Sequence, residues 1–171
     1  MKEFVVLVDQ DDQKLGLMEK QQAHVAGLLH RAFSVFVFNS KGELMIQQRA
    51  ASKYHSPTLW TNTCCSHPRD NETYEEAAHR RLQEEMGFDC ELEYKFNFIY
   101  KAHLENDLIE HELDHVFIGT FDEDPKLNPE EVMAYRWVEL DDLKKDMEKN
   151  PQNYTAWFKI IFEHYVSYIE E

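Results

Sequence analysis

The sequence is short of cysteine, of basic charge and of long apolar runs, and each shortage removes a class of protein. Three cysteines in 171 residues, Cys64, Cys65 and Cys90, are too few and odd in number for a disulfide framework. Two of them are neighbours, and a bridge between adjacent residues is strained, so free thiols in a reducing compartment are expected. No apolar run is long enough to cross a bilayer. The opening MKEFVVLVDQDDQ turns acidic after five apolar residues, unlike a signal peptide, so a cytoplasmic protein is expected. Lys and Arg number 18 against 33 Asp and Glu, a net charge of −15. So acidic a chain repels phosphate backbones, which removes nucleic acid from the expected partners. To bind an anionic small molecule it needs a local cluster of cations or a metal that reverses the sign. Repeats, low-complexity tracts and linkers are also missing, and the length suits one domain, residues 1–171, with one sizeable core.

What is present is a run of short apolar segments separated by polar turns. FVVLV (Phe4 to Val8) predicts a strand and DQDDQKLG the turn after it. AFSVFVF (Ala32 to Phe38), the turn NSKG and the returning ELMIQQR (Glu43 to Arg49) predict a hairpin. A long loop from Ala50 to about Leu59 points to function rather than simple connection. Thr73 followed by Glu76 forms a capping box for a helix over YEEAAHRRLQEEM, which Gly87 ends. ELEYKFNFIYKAHL and LIEHELDHVFIGTF read as strands. In the second, Glu110, Glu112 and Asp114 alternate with His111, Leu113 and His115. VMAYRWVEL is a further strand. Two helices follow, Asp141 to about Lys149 and Tyr154 to about Ile169, the latter with an apolar face of Trp157, Ile160, Ile161, Tyr165 and Tyr168. The expected class is α+β, a mixed β-sheet core flanked by helices.

Two stretches carry chemistry. In WTNTCCSHP (Trp60 to Pro68), alternation sends Cys64 and Cys65 to opposite faces, so one packs in the core while the other can face a cavity. In ETYEEAAHRRLQEEMGF, Arg81 and Glu85 are four apart and share a helix face. Taken alone, this is a solvated helix with internal ion pairs. The order of its residues, however, resembles the Nudix box, a loop–helix–loop whose glutamates hold a divalent cation against a diphosphate. Glu72, Arg80, Leu82, Glu84, Glu85 and Gly87 stand at the pattern's places. Ser66 replaces its first glycine and Arg81 one of its glutamates, a loss that argues against ordinary Nudix hydrolysis.

Together WTNTCCSHP, EHELDHVF, EVMAYRW and AFSVFVFNSKGELMIQQRAASK resemble the type 1 isopentenyl-diphosphate isomerase family of the Nudix superfamily, over about residues 3 to 160. That resemblance implies a Nudix-type sheet and the conversion of isopentenyl diphosphate to dimethylallyl diphosphate. It nominates Cys65 and Glu112 as the acid–base pair, with Tyr100 relaying the proton to Glu112 on the protonating side and Cys65 deprotonating. Cys64 is expected in the core. The resemblance implies His24, His30, His67, Glu110 and Glu112 as ligands of a Zn²⁺- or Mn²⁺-type metal, although the segment HVAGLLH is one residue shorter than the family pattern. It also implies Glu85 and the Cys65 carbonyl as ligands of Mg²⁺. Lys20, Arg49, Lys53 and Arg81 are the implied diphosphate contacts, and Trp157 stabilises the cationic intermediate, with Trp60 a second candidate for the cavity wall. His79, His111, His115 and His164 have no implied role. The expected partner is a small-molecule diphosphate, with neither nucleic acid nor membrane, for a monomer or dimer. Two alternatives stand beside this reading: a Nudix hydrolase of a nucleoside diphosphate compound, and a non-catalytic metal-binding domain.

Overall fold

The computed structural model describes residues 3–170, the side chains of Tyr165 and Glu170 excepted. The chain opens with a hairpin, β1 (Phe4–Val8) against β2 (Lys14–Glu19), followed by a short helix α1 (Lys20–Ala26). The predicted turn DQDDQKLG is therefore narrower than expected, because Lys14 to Gly16 already belong to β2. Next come β3 (His30–Phe38), β4 (Leu44–Arg49), and the short strands β5 (Trp60–Thr61) and β6 (Cys64–Ser66). Then follow helix α2 (Tyr74–Met86), the long strands β7 (Leu92–His103) and β8 (Ile109–Thr120), β9 (Val132–Val138), and helices α3 (Leu140–Lys149) and α4 (Ala156–Glu170).

One mixed sheet joins the strands in the order β2-β1-β3-β4-β5, with β6 and β8 also on β3, β7 on β8 and β9 on β4. The central strand is β3. It is buried over nearly its whole length, as its continuous apolar run requires of a strand covered on both faces. It runs parallel to β8 in register from His30↔Glu112 to Phe38↔Thr120.

Alternation along β3 separates two cores. Phe33, Val35 and Val37 pack with Met45, Cys64 and the apolar stripe Ala77, Ala78, Leu82 and Met86 of α2. Phe36 packs with Leu44, Ile46, Phe98, Val116 and α4 residues Trp157, Phe158 and Ile161 on the other face. The result is three layers: α2, the sheet, then α3 with α4.

α2 forms where its caps dictate. Glu76 N–H donates to Thr73 Oγ1 at 3.0 Å and Thr73 N–H to Glu76 Oε1 at 2.9 Å. Gly87 ends the helix at φ +69°, and a Cβ there would stand 2.4 Å from the Lys126 carbonyl oxygen. The buried face of α4 differs from the predicted one. Trp157, Phe158, Ile161, Phe162 and Ile169 are buried, Ile160 only partly, and Tyr168 is half exposed against the edge ring of Phe96. Tyr165 lies outside the described side chains.

Candidate active site

The residues nominated for acid–base chemistry share the sheet face that α4 covers, and strand pairing puts them there. Tyr100 lies opposite Glu112 across β7 and β8, His30 opposite Glu112 across β3 and β8, and Cys65 opposite Ser34 across β6 and β3. Directly paired residues point to the same side. Cys64, one residue earlier, points the other way and is fully buried against α2. β6 and β8 flank β3 on its two sides, so Cys65 and Glu112 come from strands about 10 Å apart. Both line a single cleft, together with His67, Glu110, Arg49 and Trp157.

The imidazoles converge with their lone pairs inward. His24 sits on α1, which the left-handed Gly27 ends. This tight stop accommodates the short His24–His30 segment. Its Nδ1 lies 2.8 Å from the Lys20 carbonyl and 3.0 Å from Tyr54 Oη, and His30 Nδ1 lies 2.9 Å from the Leu28 carbonyl. A carbonyl only accepts, so both Nδ1 atoms carry the hydrogen and both Nε2 atoms are left as donors for a metal. His24 Nε2 is fully buried and has no hydrogen-bond partner among the described residues. His30 Nε2 and His67 Nε2 face the same Glu112 Oε2 at 3.0 and 2.8 Å, and His24 Nε2 stands 3.9 Å from it. Burial drives His24 below the usual imidazole range and His67 down to about 4, so these rings are neutral. Nitrogen lone pairs crowded on one carboxylate oxygen are the donor set of a divalent cation, and the residues present fit one.

Of the five predicted ligands, His24, His30, His67 and Glu112 can reach one ion. Glu110 stands slightly apart, 4.0 Å from His24 Nε2, and groups instead with His24 and His55. Burial, then the charge of Glu112, pushes Glu110 well above the usual carboxylate range. Burial opposes ionisation of Glu112 too, but positive charge beside its Oε2, where His67 and His30 stand, holds that carboxyl well below its usual range. Tyr100 Oη donates to Glu112 Oε1 at 2.5 Å and lies 3.2 Å from Glu110 Oε1, so one phenol bridges the two carboxyls. Burial also raises the Cys65 thiol, with Arg49 opposing it.

The predicted diphosphate cations Lys20, Arg49, Lys53 and Arg81 all line the cleft. Three already have carboxylate partners. Lys20 pairs with Glu3 at 2.7 Å, Lys53 with Glu131, and Arg81 with Glu85 at 2.7 Å and Glu131 at 3.2 Å. Arg49 instead donates to the carbonyls of Ser56 and His55 and lies 5.3 Å over the Trp157 ring. Arg81 Nε is buried without a partner among the described residues. Glu85 is buried between Arg81 and the Gln47 amide. Trp157 borders the cleft and donates from Nε1 to Asn62 Oδ1 at 3.2 Å. Trp60 is not among the lining residues. Its ring carries the guanidinium of Arg136 at 4.7 Å, a correction to its expected place.

Among the lining residues that escape sequence reasoning are Glu3, Glu131 and His55. The two glutamates are distant in sequence from the cations they neutralise. His55 lies in the long 50–59 loop, whose length is the only sequence signal it gives. His79, His111 and His115 lie outside the cleft, bonded or stacked to Asp89, the Gly27 carbonyl and Tyr74 respectively.

This three-layer arrangement, with a capped helix beside the central strand and a nest of imidazoles and carboxylates at its mouth, defines a Nudix protein. The NUDIX domain model matches residues 28–158, and the chain belongs to that family. A crystal structure from Deinococcus radiodurans superposes with a TM-score of 0.79 at 20% identity, covering 95% of this chain and 99% of that one. A MutT protein from Methanosarcina mazei superposes with a TM-score of 0.67 at 19% identity, covering 84% and 96%. At such identities these neighbours speak for the fold alone. Within the family the chain belongs with the isopentenyl-diphosphate Delta-isomerases. It is 56% identical to isopentenyl-diphosphate Delta-isomerase 2 of Photorhabdus laumondii, over 94% of this chain and 91% of that protein. It is 51% identical to isopentenyl-diphosphate Delta-isomerase 2 of Aromatoleum aromaticum, over 98% and 88%.

Proposed function

We propose that this chain isomerises isopentenyl diphosphate to dimethylallyl diphosphate, supplying isoprenoid precursors. One observation carries the reading. Cys65 on β6 and Glu112 on β8, the latter with buried Tyr100 of β7 hydrogen-bonded to it, open on one cleft from the two flanks of β3. The reaction adds a proton to the terminal alkene carbon and removes one from C2 on the opposite face, through an intermediate resembling a tertiary carbocation. It therefore needs a donor and an acceptor apart, with no water between them.

The Tyr100–Glu112 pair protonates the alkene, with Tyr100 as relay to Glu112, while Cys65 takes the proton from C2. Burial raises the cost of a thiolate at Cys65, and Arg49 offsets part of it. Each positioned group contributes about 10² to 10⁴-fold. The indole face of Trp157 adds roughly 0.5 to 2 kcal/mol of attraction for the cationic carbon. That is too little alone, so positioning and water exclusion supply the rest.

Arg49, which has no carboxylate partner among the described residues, and the unpartnered Arg81 Nε offer the diphosphate its first contacts, and Lys20 and Lys53 complete them. Energy from binding the unreacting diphosphate then holds the alkene between the two reacting groups. His24, His30, His67, Glu110 and Glu112 would hold a borderline divalent metal of the Zn²⁺ or Mn²⁺ kind, and Glu85 with the Cys65 carbonyl would hold Mg²⁺. Bound there, such cations supply positive charge that fixes the carboxylates and offsets the phosphates. A reducing cytoplasm suits the three free thiols.

Incubation with isopentenyl diphosphate and divalent metal in D₂O tests the reading by NMR. Deuterated dimethylallyl diphosphate is the expected product. Released phosphate would replace it with hydrolysis, and complete inertness would leave a non-catalytic domain.

A further inference from the structure

The five implied metal ligands leave out a sixth donor that the fold places among them. His55 is 5% exposed. Its Nδ1 lies 3.2 Å from Ser56 Oγ, and its Nε2 stands 3.7 Å from Glu110 Oε2. The ring lies 5.3 Å from that of His24 at an angle of 30°.

Two overlapping groups of donors result. One is His24, His30, His67 and Glu112, the other His24, His55 and Glu110. Within each group the ligand atoms lie within 4.8 Å of one another. Opposite ligands of one cation at about 2.1 Å each stand about 4.2 Å apart, so each group is the size of a single coordination sphere. The groups share His24, whose Nδ1 is taken by the Lys20 carbonyl and Tyr54 and whose Nε2 is its one free nitrogen. One nitrogen lone pair serves one cation, so the two groups cannot hold separate ions, and they form one centre when His55 and Glu110 close on the ion that His24 holds.

We propose that His55 Nε2 is the sixth ligand of this centre, closing a sphere of four imidazoles and two carboxylates against water. This rests on the reading of the site as a metal centre. The consequence falls on the side where it matters. His55 lines the cleft, whereas His24 and His30 do not. A position left open by the other five ligands would present a metal-bound water towards the substrate. A metal that activates water needs such an open position, and a saturated one does not. His55 thus separates an isomerase, in which water would trap the cation, from a hydrolase built on the same fold.

The test uses the full chain loaded with Mn²⁺ and reads water-proton relaxation together with the metal dissociation constant. The wild-type protein is expected to bind Mn²⁺ with little inner-sphere relaxation. His55→Ala should gain an exchangeable water, visible as a rise in relaxation, and weaken the metal roughly 10-fold or more, on the scale that loss of even a supporting group brings. Added imidazole should reverse both changes. His55→Gln, which keeps a polar side chain in the loop, gives a second measurement should the alanine variant fold poorly. Wild-type relaxation already typical of an ion carrying water, or two folded variants with unchanged affinity and relaxation, would overturn the sixth ligand while leaving the metal centre standing. A wild-type protein that takes up no divalent ion would instead bring down the metal reading itself.

Discussion

Removing one oxygen atom tests the proton path more cleanly than removing a carboxylate. In Tyr100→Phe the ring stays in its pocket against Phe98, the diphosphate cations are untouched, and only the phenol bridging Glu112 at 2.5 Å and Glu110 at 3.2 Å is lost. The hydroxyl is buried, with Tyr100 5% exposed, so no bulk water replaces it freely. A hydrogen bond to an ionised group contributes about 1.5 to 3 kcal/mol net. At about 2 to 4 °C per kcal/mol for a chain of this size, the melting temperature should fall by roughly 3 to 12 °C. Catalysis should suffer more. Loss of a positioned proton carrier costs about 10² to 10⁴-fold, or roughly 2.7 to 5.4 kcal/mol of barrier. The loss should appear in kcat with KM nearly unchanged, because the contacts that bind the diphosphate remain. Steady-state turnover of isopentenyl diphosphate, paired with a circular-dichroism melt, measures both. A kcat within tenfold of wild type, or a raised KM with unchanged kcat, would show that Tyr100 supports Glu112 structurally and is not a carrier.

Other expectations follow from the same geometry. Cys65→Ala should reduce deuterium exchange by at least about 10²-fold, whereas Cys64→Ala, on the opposite face, should keep turnover and lose about 1 kcal/mol of stability. The reverse pattern would invert the facing of β6. His115, stacked on Tyr74 at 3.5 Å, is driven by burial from 6.5 down to about 4, with Asp12 opposing and Arg31 assisting. Between those values the unfolded chain binds the proton more strongly than the folded one. The contribution of His115 is therefore complete above about pH 6.5 and is lost as pH falls towards 4, by roughly 2 to 3 kcal/mol after allowing for its partial exposure. Melting temperature against pH should be flatter over that window in His115→Gln than in wild type, and identical slopes would refute the assignment.

Periodicity alone reaches β3, β4, β7, β8, β9 and α2, because each couples a clear apolar pattern to a turn or cap. It misses β2 and α1 for physical reasons. Most of β2 faces solvent and shows no alternation of buried residues. α1 has seven residues and is capped by Glu19 rather than by the serine, threonine or asparagine that marks a helix start. The facing of Cys64 and Cys65 is legible because a strand has period two. The ligand and diphosphate sets come from family likeness, since no spacing rule joins His24 to Glu112. Glu3, Glu131 and His55 are invisible at that level. Glu3 and Glu131 act through partners 17 and 78 residues away, and His55 is aimed by a loop whose Ser56 and Thr58 adopt left-handed backbone.

The strand β8 carries its carboxylates at every second position, which sets where the gene can vary in length. Losing the codon for His115 would leave the ladder beyond it paired with β3 while turning His111 and Leu113 into the cleft and Glu110 and Glu112 out of it. Such a protein would have an ordinary fold and an empty chemistry. Insertions and deletions should therefore be confined to the connecting loops, with β8 keeping a fixed residue count from Ile109 to Val116.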